Sequence, residues 1–191
     1  MKNLILIIVI NIILFSCSTE VKRYSFEDTI SKNQLVYLEN DMSLLNGIVY
    51  VKNLDNILHK ETNYIDGEKE GLESSWYENG QLRYERNYKD GKQNGLSKDW
   101  DKNGQLETKG TFKDGKRDGV YEMYFENGQL EGKATYKDGE GNGVVEMYFE
   151  NGQLKGKGNL KDGKPDGVME TYLENGQLKE KTTFKDGEEV N

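Results

Sequence analysis

The sequence has few of the residues that build catalytic centres and cross-links: its 191 residues include one cysteine, one proline and one histidine. Because Cys17 is the sole cysteine, no disulfide can form within the chain. His59 is accompanied in the sequence by no second histidine, nucleophilic cysteine or paired carboxylate, so the usual pattern of a catalytic site is missing. We therefore expect no enzyme activity, no catalytic or metal-binding residues and no cofactor.

Apolar residues are also scarce, at 34% of the chain, which argues against a thick two-layer core along its whole length. The 34 acidic residues exceed the 26 basic ones, and the net charge is −8. On average such a surface repels phosphate backbones, so we expect no nucleic-acid partner.

What the sequence does contain is a strict repeat of 24 residues over residues 71–190. Two motifs mark it, and each occurs five times. Asn-Gly-Gln-Leu begins at Asn79, Asn103, Asn127, Asn151 and Asn175, and Asp-Gly begins at Asp90, Asp114, Asp138, Asp162 and Asp186. This regularity predicts five full copies of one supersecondary unit stacked in a row.

Within the third copy, residues 120–125 are rich in β-forming residues, and residues 129–136 form a second extended stretch. Short links containing glycine separate them, which predicts β-hairpins joined in a meander. The fold class is therefore all-β, an elongated single-layer antiparallel sheet of tandem hairpins. Residues 47–70 keep the register with weaker motifs and are interpreted as a degenerate capping copy, so the repeat domain covers residues 46–191.

The link at Asn127 could be a two-residue turn that pairs Phe125 with Leu130, or a three-residue loop that pairs Tyr124 with Leu130. We favour the three-residue loop because it places four recurring classes of apolar residue on one face, with Gly132 and Gly156 opposite Glu122 and Glu146. In the third copy these four classes are represented by Val120, Tyr124, Leu130 and Tyr136. The row of glutamates at Glu122, Glu146 and Glu170 is expected to be solvated.

A strand ending in Trp or Tyr, then Glu-Asn-Gly-Gln-Leu, then a strand closing in Tyr/Phe-Lys-Asp-Gly-Lys resembles the bacterial variant of the MORN repeat, found in proteins labelled as YwqK-type antitoxins. The resemblance covers about 140 residues. It implies a long, twisted, single-layer antiparallel sheet. It also implies contacts with proteins or phospholipids, and the antitoxin label implies a partner toxin.

Residues 1–16 contain one lysine followed by an apolar run of about 12 residues, which fits the core of a signal peptide better than a membrane span. The ending Leu14-Phe15-Ser16-Cys17 resembles a bacterial lipobox, so Cys17 is the predicted lipidation site. The alternatives are an ordinary secretory signal and a membrane-spanning anchor. We expect a lipid-anchored protein of the cell envelope, at the outer membrane or cell surface, with residues 17–45 as a tether. A short strand is possible at residues 34–38.

The opposite face of the sheet carries an apolar strip in the later copies. We define the apolar strip as Tyr121, Met123, Phe125, Val145, Met147, Phe149, Met169 and Leu173. Either residues 18–45 fold back over it, or it stays partly exposed, or it binds a protein partner. We expect a non-catalytic protein-binding scaffold. An antitoxin or immunity protein that neutralises a toxin, or a glycan- or cell-wall-binding module that uses the aromatic row, are the alternatives.

Overall fold

The computed structural model describes residues 21–190, and nearly all of its regular structure is β-strand. The predicted signal peptide and Cys17 lie outside these residues. The strands are β1 (Arg23–Ser25), β2 (Thr29–Lys32), β3 (Leu35–Leu38), β4 (Gly47–Lys52), β5 (Leu58–Ile65), β6 (Glu68–Trp76), β7 (Leu82–Lys89), β8 (Lys92–Trp100), β9 (Leu106–Lys113), β10 (Lys116–Tyr124), β11 (Leu130–Lys137), β12 (Glu140–Tyr148), β13 (Leu154–Lys161), β14 (Lys164–Pro165), β15 (Gly167–Tyr172), β16 (Leu178–Lys185) and β17 (Glu188–Val190).

The strands from β4 to β17 form one sheet in which each strand pairs with its neighbours in sequence. All of these pairs are antiparallel, and β14 is a short piece beside β13. β1 joins the edge at β4 in the parallel direction, and β2 and β3 form a separate hairpin. The predicted fold class, a long single sheet of consecutive hairpins, is confirmed.

One edge of the sheet is formed by the Asp-Gly turns. In the turn between β9 and β10, Lys113 pairs with Lys116, and only Asp114 and Gly115 lie between them. Both residues have positive φ, 50° and 83°, which is the geometry of a type I′ turn. That turn matches the right-handed twist of the two strands. Because aspartate and glycine tolerate positive φ, the repeated pair follows directly from the turn type.

The other edge is formed by the Asn-Gly loops, and here the predicted three-residue loop is confirmed. Phe125 donates its N–H to the Gln129 carbonyl at 2.8 Å, and Gly128 donates to the Phe125 carbonyl at 2.8 Å. Gly128 has φ 81°, and Tyr124 pairs with Leu130 as expected. The Asn127 side chain closes the loop by accepting a hydrogen bond from the Gln129 N–H at 2.9 Å.

The prediction that all four apolar classes share one face is wrong. Directly after the Tyr124–Leu130 pair, Met123 pairs with Gly132, so Glu131 is an extra residue in β11. This second β-bulge shifts the register by one, and a shift of one exchanges the two faces of a strand. Val120 consequently pairs with Thr135, while Tyr136 pairs with Gly119 and lies on the opposite face.

The same bulge corrects the position of two glycines. Gly132 faces Met123 and Gly156 faces Met147; neither glycine is opposite a glutamate. The glycines therefore lie on the face of the apolar strip.

Consecutive copies are also joined along both edges. Gly115 donates its N–H to the Gln93 carbonyl at 2.8 Å, one hairpin earlier. On the opposite edge, the side-chain amide of Asn127 donates to the Glu150 carbonyl at 3.1 Å, one hairpin later. Asn127, like Asn79 in the first full copy, thus shapes its own loop and binds the next one.

Residues 21–46, which we call the cap, pack on the copy at residues 47–70. Leu45 is fully buried, Val36 donates its N–H to the Gly67 carbonyl at 2.9 Å, and Gly67 donates to the Leu45 carbonyl at 2.9 Å. The segment predicted as a tether therefore contains β1, β2 and β3 in its described part. The copy at residues 47–70 repeats the hairpin of the full copies, with His59 as the extra residue in β5.

The turn geometry leads to a first prediction. A Cβ added at Gly115 would meet no other atom within 4 Å, so the cost of replacing it comes from the backbone alone. We expect Gly115→Val to lower the free energy of unfolding by about 1–2 kcal/mol, because β-branched residues resist positive φ. Gly115→Asn is the matched control and should lie close to the wild type, because asparagine tolerates this conformation. Urea unfolding followed by circular dichroism measures both; equal losses would refute the turn assignment.

Candidate interaction surface

The bulges define two faces of different chemistry. We call the face with Val120, Glu122 and Tyr124 the ladder face, and the face with Tyr121 and Met123 the strip face. The classes of Val120, Tyr124 and Leu130 remain together on the ladder face. The class of Tyr136 belongs to the strip face, and it comprises Tyr88, Phe112, Tyr136, Leu160 and Phe184.

On the ladder face a row of charged residues runs from β9 to β16 at directly paired positions, one from each strand except the short β14. In order these residues are Lys109, Glu122, Lys133, Glu146, Lys157, Glu170 and Lys181. Lys109 Nζ lies 3.0 Å from Glu122 Oε2, and Lys133 Nζ lies 2.8 Å from Glu146 Oε2. Opposite charges on adjacent strands stabilise the pairing, which accounts for the alternation.

The glutamates of this ladder are therefore partnered, whereas the sequence led us to expect them to be solvated. Glu170 accepts a hydrogen bond from the Tyr172 hydroxyl at 2.6 Å and lies within 3.2 Å of the ammonium groups of Lys157 and Lys181. The Tyr172 hydrogen bond, followed by those of the two lysines, lowers the pKa of Glu170 to about 2. The 24-residue spacing of the lysines was the sequence signal that could have revealed these pairs.

The strip face is polar in the early copies, where it contains a buried carboxylate. The Glu73 side chain is only 2% exposed. It accepts hydrogen bonds from Lys69 Nζ at 2.7 Å and from the Thr62 hydroxyl at 2.9 Å, and Lys60 Nζ lies 3.0 Å away. Burial alone would raise the pKa of the Glu73 carboxyl. The hydrogen bonds and charges of the two lysines outweigh it, so the pKa lies below the ordinary value.

A second polar cluster follows on the next strands. Arg86 donates to Asp99 Oδ1 at 2.9 Å, and the Thr108 hydroxyl donates to Asp99 Oδ2 at 3.0 Å. The Arg86 guanidinium lies 4.1 Å from the centre of the Tyr84 ring. The early copies thus fill the strip face with groups that satisfy one another.

From β10 onward the same face becomes apolar, and this is where the apolar strip lies. The residues of the apolar strip on β10, β12 and β15 lie over glycines of neighbouring strands. A Cβ at Gly110 would come within 2.4 Å of the Tyr121 ring, and one at Gly158 would overlap the Met169 thioether. Glycine at these positions gives the larger side chain room to lie flat on the backbone.

The eight residues of the apolar strip occupy two kinds of position in the structure. Tyr121, Met123, Val145, Met147 and Met169 are strand residues that alternate onto the strip face. The other three, Phe125, Phe149 and Leu173, each directly precede an Asn-Gly loop and donate an N–H across it.

Sequence reasoning missed an aromatic cluster at the start of the strip. The Arg117 guanidinium lies 3.8 Å from the centre of the Tyr121 ring and 5.2 Å from that of Tyr136. The two rings meet edge to face, with centres 6.2 Å apart. The cluster could not be seen from the sequence because the bulge that moves Tyr136 to this face was not predicted.

The cap does not lie over the apolar strip. Its backbone hydrogen bonds connect it to the copy at residues 47–70, several strands before β10. Met123 and Met147 accordingly remain 42% and 47% exposed. The alternative in which residues 18–45 cover the strip does not hold for the part of that segment that the structure describes.

Between residues 21 and 190, no cluster of three or more His, Cys, Asp or Glu side chains has the arrangement of a metal site. Helices with the length and apolar character of a membrane span are also missing from this described part of the chain.

Comparison with known proteins agrees with this geometry. The family model described as "MORN repeat variant" matches residues 69–90, 93–114, 117–138, 142–162 and 165–186, which together make up more than half of the chain. The chain belongs to the MORN repeat variant family. The five matched segments correspond to the five predicted full copies. Members of this family are repeat scaffolds for binding, of a non-enzymatic type.

Curated proteins gave no match to this sequence. Among solved structures, the crystal structure of the GtfA/B complex bound to UDP and GlcNAc aligns with a TM-score of 0.23 and 9% sequence identity. The alignment covers 69% of this chain and 23% of that one. A likeness at this level carries no argument about function.

The buried carboxylate leads to a second prediction. Because its folded pKa is lowered, ionised Glu73 stabilises the fold above the pKa of the unfolded chain, and this contribution is lost as the pH falls through the folded pKa. Glu73→Gln should lower the free energy of unfolding by about 2 kcal/mol at pH 7, because two lysines lose a charged partner. The deficit should shrink as the pH falls below about 5 and through the lowered folded pKa of Glu73.

Urea unfolding at several pH values measures this deficit. Glu126→Gln, at an exposed loop position, is the control and should show only a small deficit at every pH. A Glu73→Gln deficit that stays constant with pH would contradict the ionised state of the carboxylate.

Proposed function

We propose that this protein is a lipid-anchored, non-catalytic scaffold of the cell envelope that binds a protein partner through the apolar strip. Membership of the MORN repeat variant family supports the role of a binding scaffold. The partner and the anchor are our proposals.

The observation that carries the proposal is the change of chemistry between equivalent positions of successive copies. The position of Met123 and Met147 is occupied by Ser75 and Asp99 in the first two full copies. Ser75 is buried, whereas both methionines are more than two-fifths exposed. A fold that accepts polar residues at this position does not need methionine there for its own packing. Exposed methionines beside aromatic rings form an adaptable apolar surface suited to a protein partner.

The place of the strip along the sheet fits an anchored protein. Cys17, the proposed lipidation site, precedes β1 by only a few residues, and β1 pairs with β4 at the beginning of the sheet. The strip begins at β10, six strands further along the sheet. At about 4.8 Å per strand it starts roughly 29 Å from β4. An anchor at Cys17 would therefore hold the beginning of the sheet near the membrane and present the strip away from it.

The docking surface is tested by replacing two exposed methionines. We expect Met123→Asp with Met147→Asp to abolish co-purification of the protein partner from envelope extract, because two charges would have to be desolvated in the interface. Both positions are exposed, so the change in unfolding free energy should stay within about 1 kcal/mol. Affinity capture followed by mass spectrometry, with circular dichroism as the folding check, gives the result.

The opposite face supplies a matched control. Val120 and Val144 are 48% and 47% exposed and lie on the ladder face of the same two copies. Val120→Asp with Val144→Asp should leave the capture unchanged. Capture that survives the methionine substitutions, or that is lost equally in both double variants, would exclude the strip as the docking surface.

The anchor is tested separately by labelling cells with a radioactive fatty acid. We expect label in the wild-type protein and none in Cys17→Ala, since Cys17 is the only thiol in the chain. The variant should also leave the membrane fraction, which centrifugation of lysed cells measures. Label retained by Cys17→Ala, or a wild-type protein without label, would contradict a lipid anchor at this residue.

A further inference from the structure

The Asn-Gly edge of the early copies contains a cavity of about 440 Å³, separate from the apolar strip. It is lined by His59, Tyr77, Glu78, Asn79, Arg83 and Lys102. The lining combines two permanent cations and a histidine with one carboxylate, in a protein whose net charge is −8. Such a local excess of basic groups is contrary to the overall charge balance.

Backbone and ring contacts hold the walls of the cavity in place. The Asn79 side-chain amide donates to the Lys102 carbonyl at 2.7 Å, which fixes one Asn-Gly loop against the next. The Tyr77 hydroxyl donates to the Trp100 carbonyl at 2.8 Å. The Arg83 guanidinium lies 5.7 Å from the centre of the Tyr77 ring.

Two of the lining residues come from β-bulges. His59 is the extra residue in β5, and Arg83 is the extra residue in β7. A bulge re-aims the side chain of its extra residue relative to the regular alternation. Lys102 reaches the same cavity from the first position of an Asn-Gly loop.

The repeat provides an internal reference for these positions. The residues equivalent to Lys102 in the other four full copies are all glutamate: Glu78, Glu126, Glu150 and Glu174. The residues equivalent to Arg83 in the next two copies are Glu107 and Glu131. The loop and the bulge therefore accept glutamate, and their geometry does not require a basic residue. The last two copies carry Lys155 and Lys179 at the bulge position, but Lys155 is followed by a loop glutamate, Glu174, so a basic bulge residue and a basic loop residue come together at Arg83 and Lys102.

We propose that this cavity binds a small organic oxyanion, with Arg83 and Lys102 holding its phosphate or carboxylate group. Guanidinium and ammonium groups form the strongest hydrogen bonds of proteins with such anions, and arginine can bind one in bidentate fashion. The His59 imidazole adds a further N–H donor to the lining. Glu78 and Asn79 offer an acceptor and an amide to hydroxyl groups, so a sugar phosphate or a sugar acid fits the lining.

Calorimetric titration of the full-length protein tests this site with three probes: glucose 6-phosphate, glucuronate and uncharged glucose, at matched ionic strength. We expect one or both anions to bind in the millimolar range and glucose not to bind. Arg83→Glu with Lys102→Glu should weaken the anion by at least about tenfold, since both charges are reversed. Binding of one anion and not the other identifies phosphate or carboxylate as the group recognised.

The repeat also supplies controls. Arg83→Glu and Lys102→Glu install residues that other copies carry at the same positions, so the variant should fold, which circular dichroism checks. Lys155→Glu changes an equivalent bulge residue outside the cavity and should leave the affinity unchanged.

The proposal is overturned if neither anion binds, or if glucose binds as tightly as the anions. It is equally overturned if the double charge reversal leaves the affinity unchanged, or if Lys155→Glu weakens it as much.

Discussion

The extra residue in the second strand of each hairpin is the constraint on which the rest of the structure depends. In the third copy it is Glu131, which lies between the Tyr124–Leu130 pair and the Met123–Gly132 pair. Because side chains alternate along a strand, this one residue decides that Tyr136 joins the strip face. The equivalent bulges of the other copies likewise place the ladder charges at paired positions, lay the strip over glycines, and put His59 and Arg83 in the lining of one cavity.

A single sheet layer has little interior, so this chain is stabilised by interactions that recur in every copy. The buried apolar side chains of the described chain are Leu45, in the cap, and Val49, on β4 at the beginning of the sheet. Further along, the stabilising contacts are cross-strand ion pairs, side chains lying over glycines, and hydrogen bonds between successive turns. Each copy depends on its neighbours for these contacts, as in other repeat proteins. The copy at residues 47–70 has no preceding copy to pack against, and the cap takes that place.

The copies serve as references for one another, and their differences locate function better than their similarities do. What recurs in every copy is explained by turns and pairing. What changes is the strip face, from the Glu73 and Arg86 networks to exposed methionines, and the Asn-Gly edge, where Lys102 replaces a glutamate. The two changes occur in different parts of the sheet. One scaffold can therefore present two separate surfaces, one apolar and one cationic.

The sequence by itself determined the 24-residue period, the hairpins, the three-residue Asn-Gly loop and the alternation that puts Tyr121 and Met123 on one face of their strand. Each of these rests on local chemistry, such as glycine and aspartate at positive φ or alternation within one strand. Only the tertiary structure decided the second bulge, the face of Tyr136, the lysine partners of Glu122 and Glu146, and the cap. Whether a bulge forms depends on contacts between the bulged strand and the neighbouring strand. The residue that forms it has no fixed identity, since histidine, arginine, glutamate and lysine all occur there, and the sequence therefore carries no local signal for it.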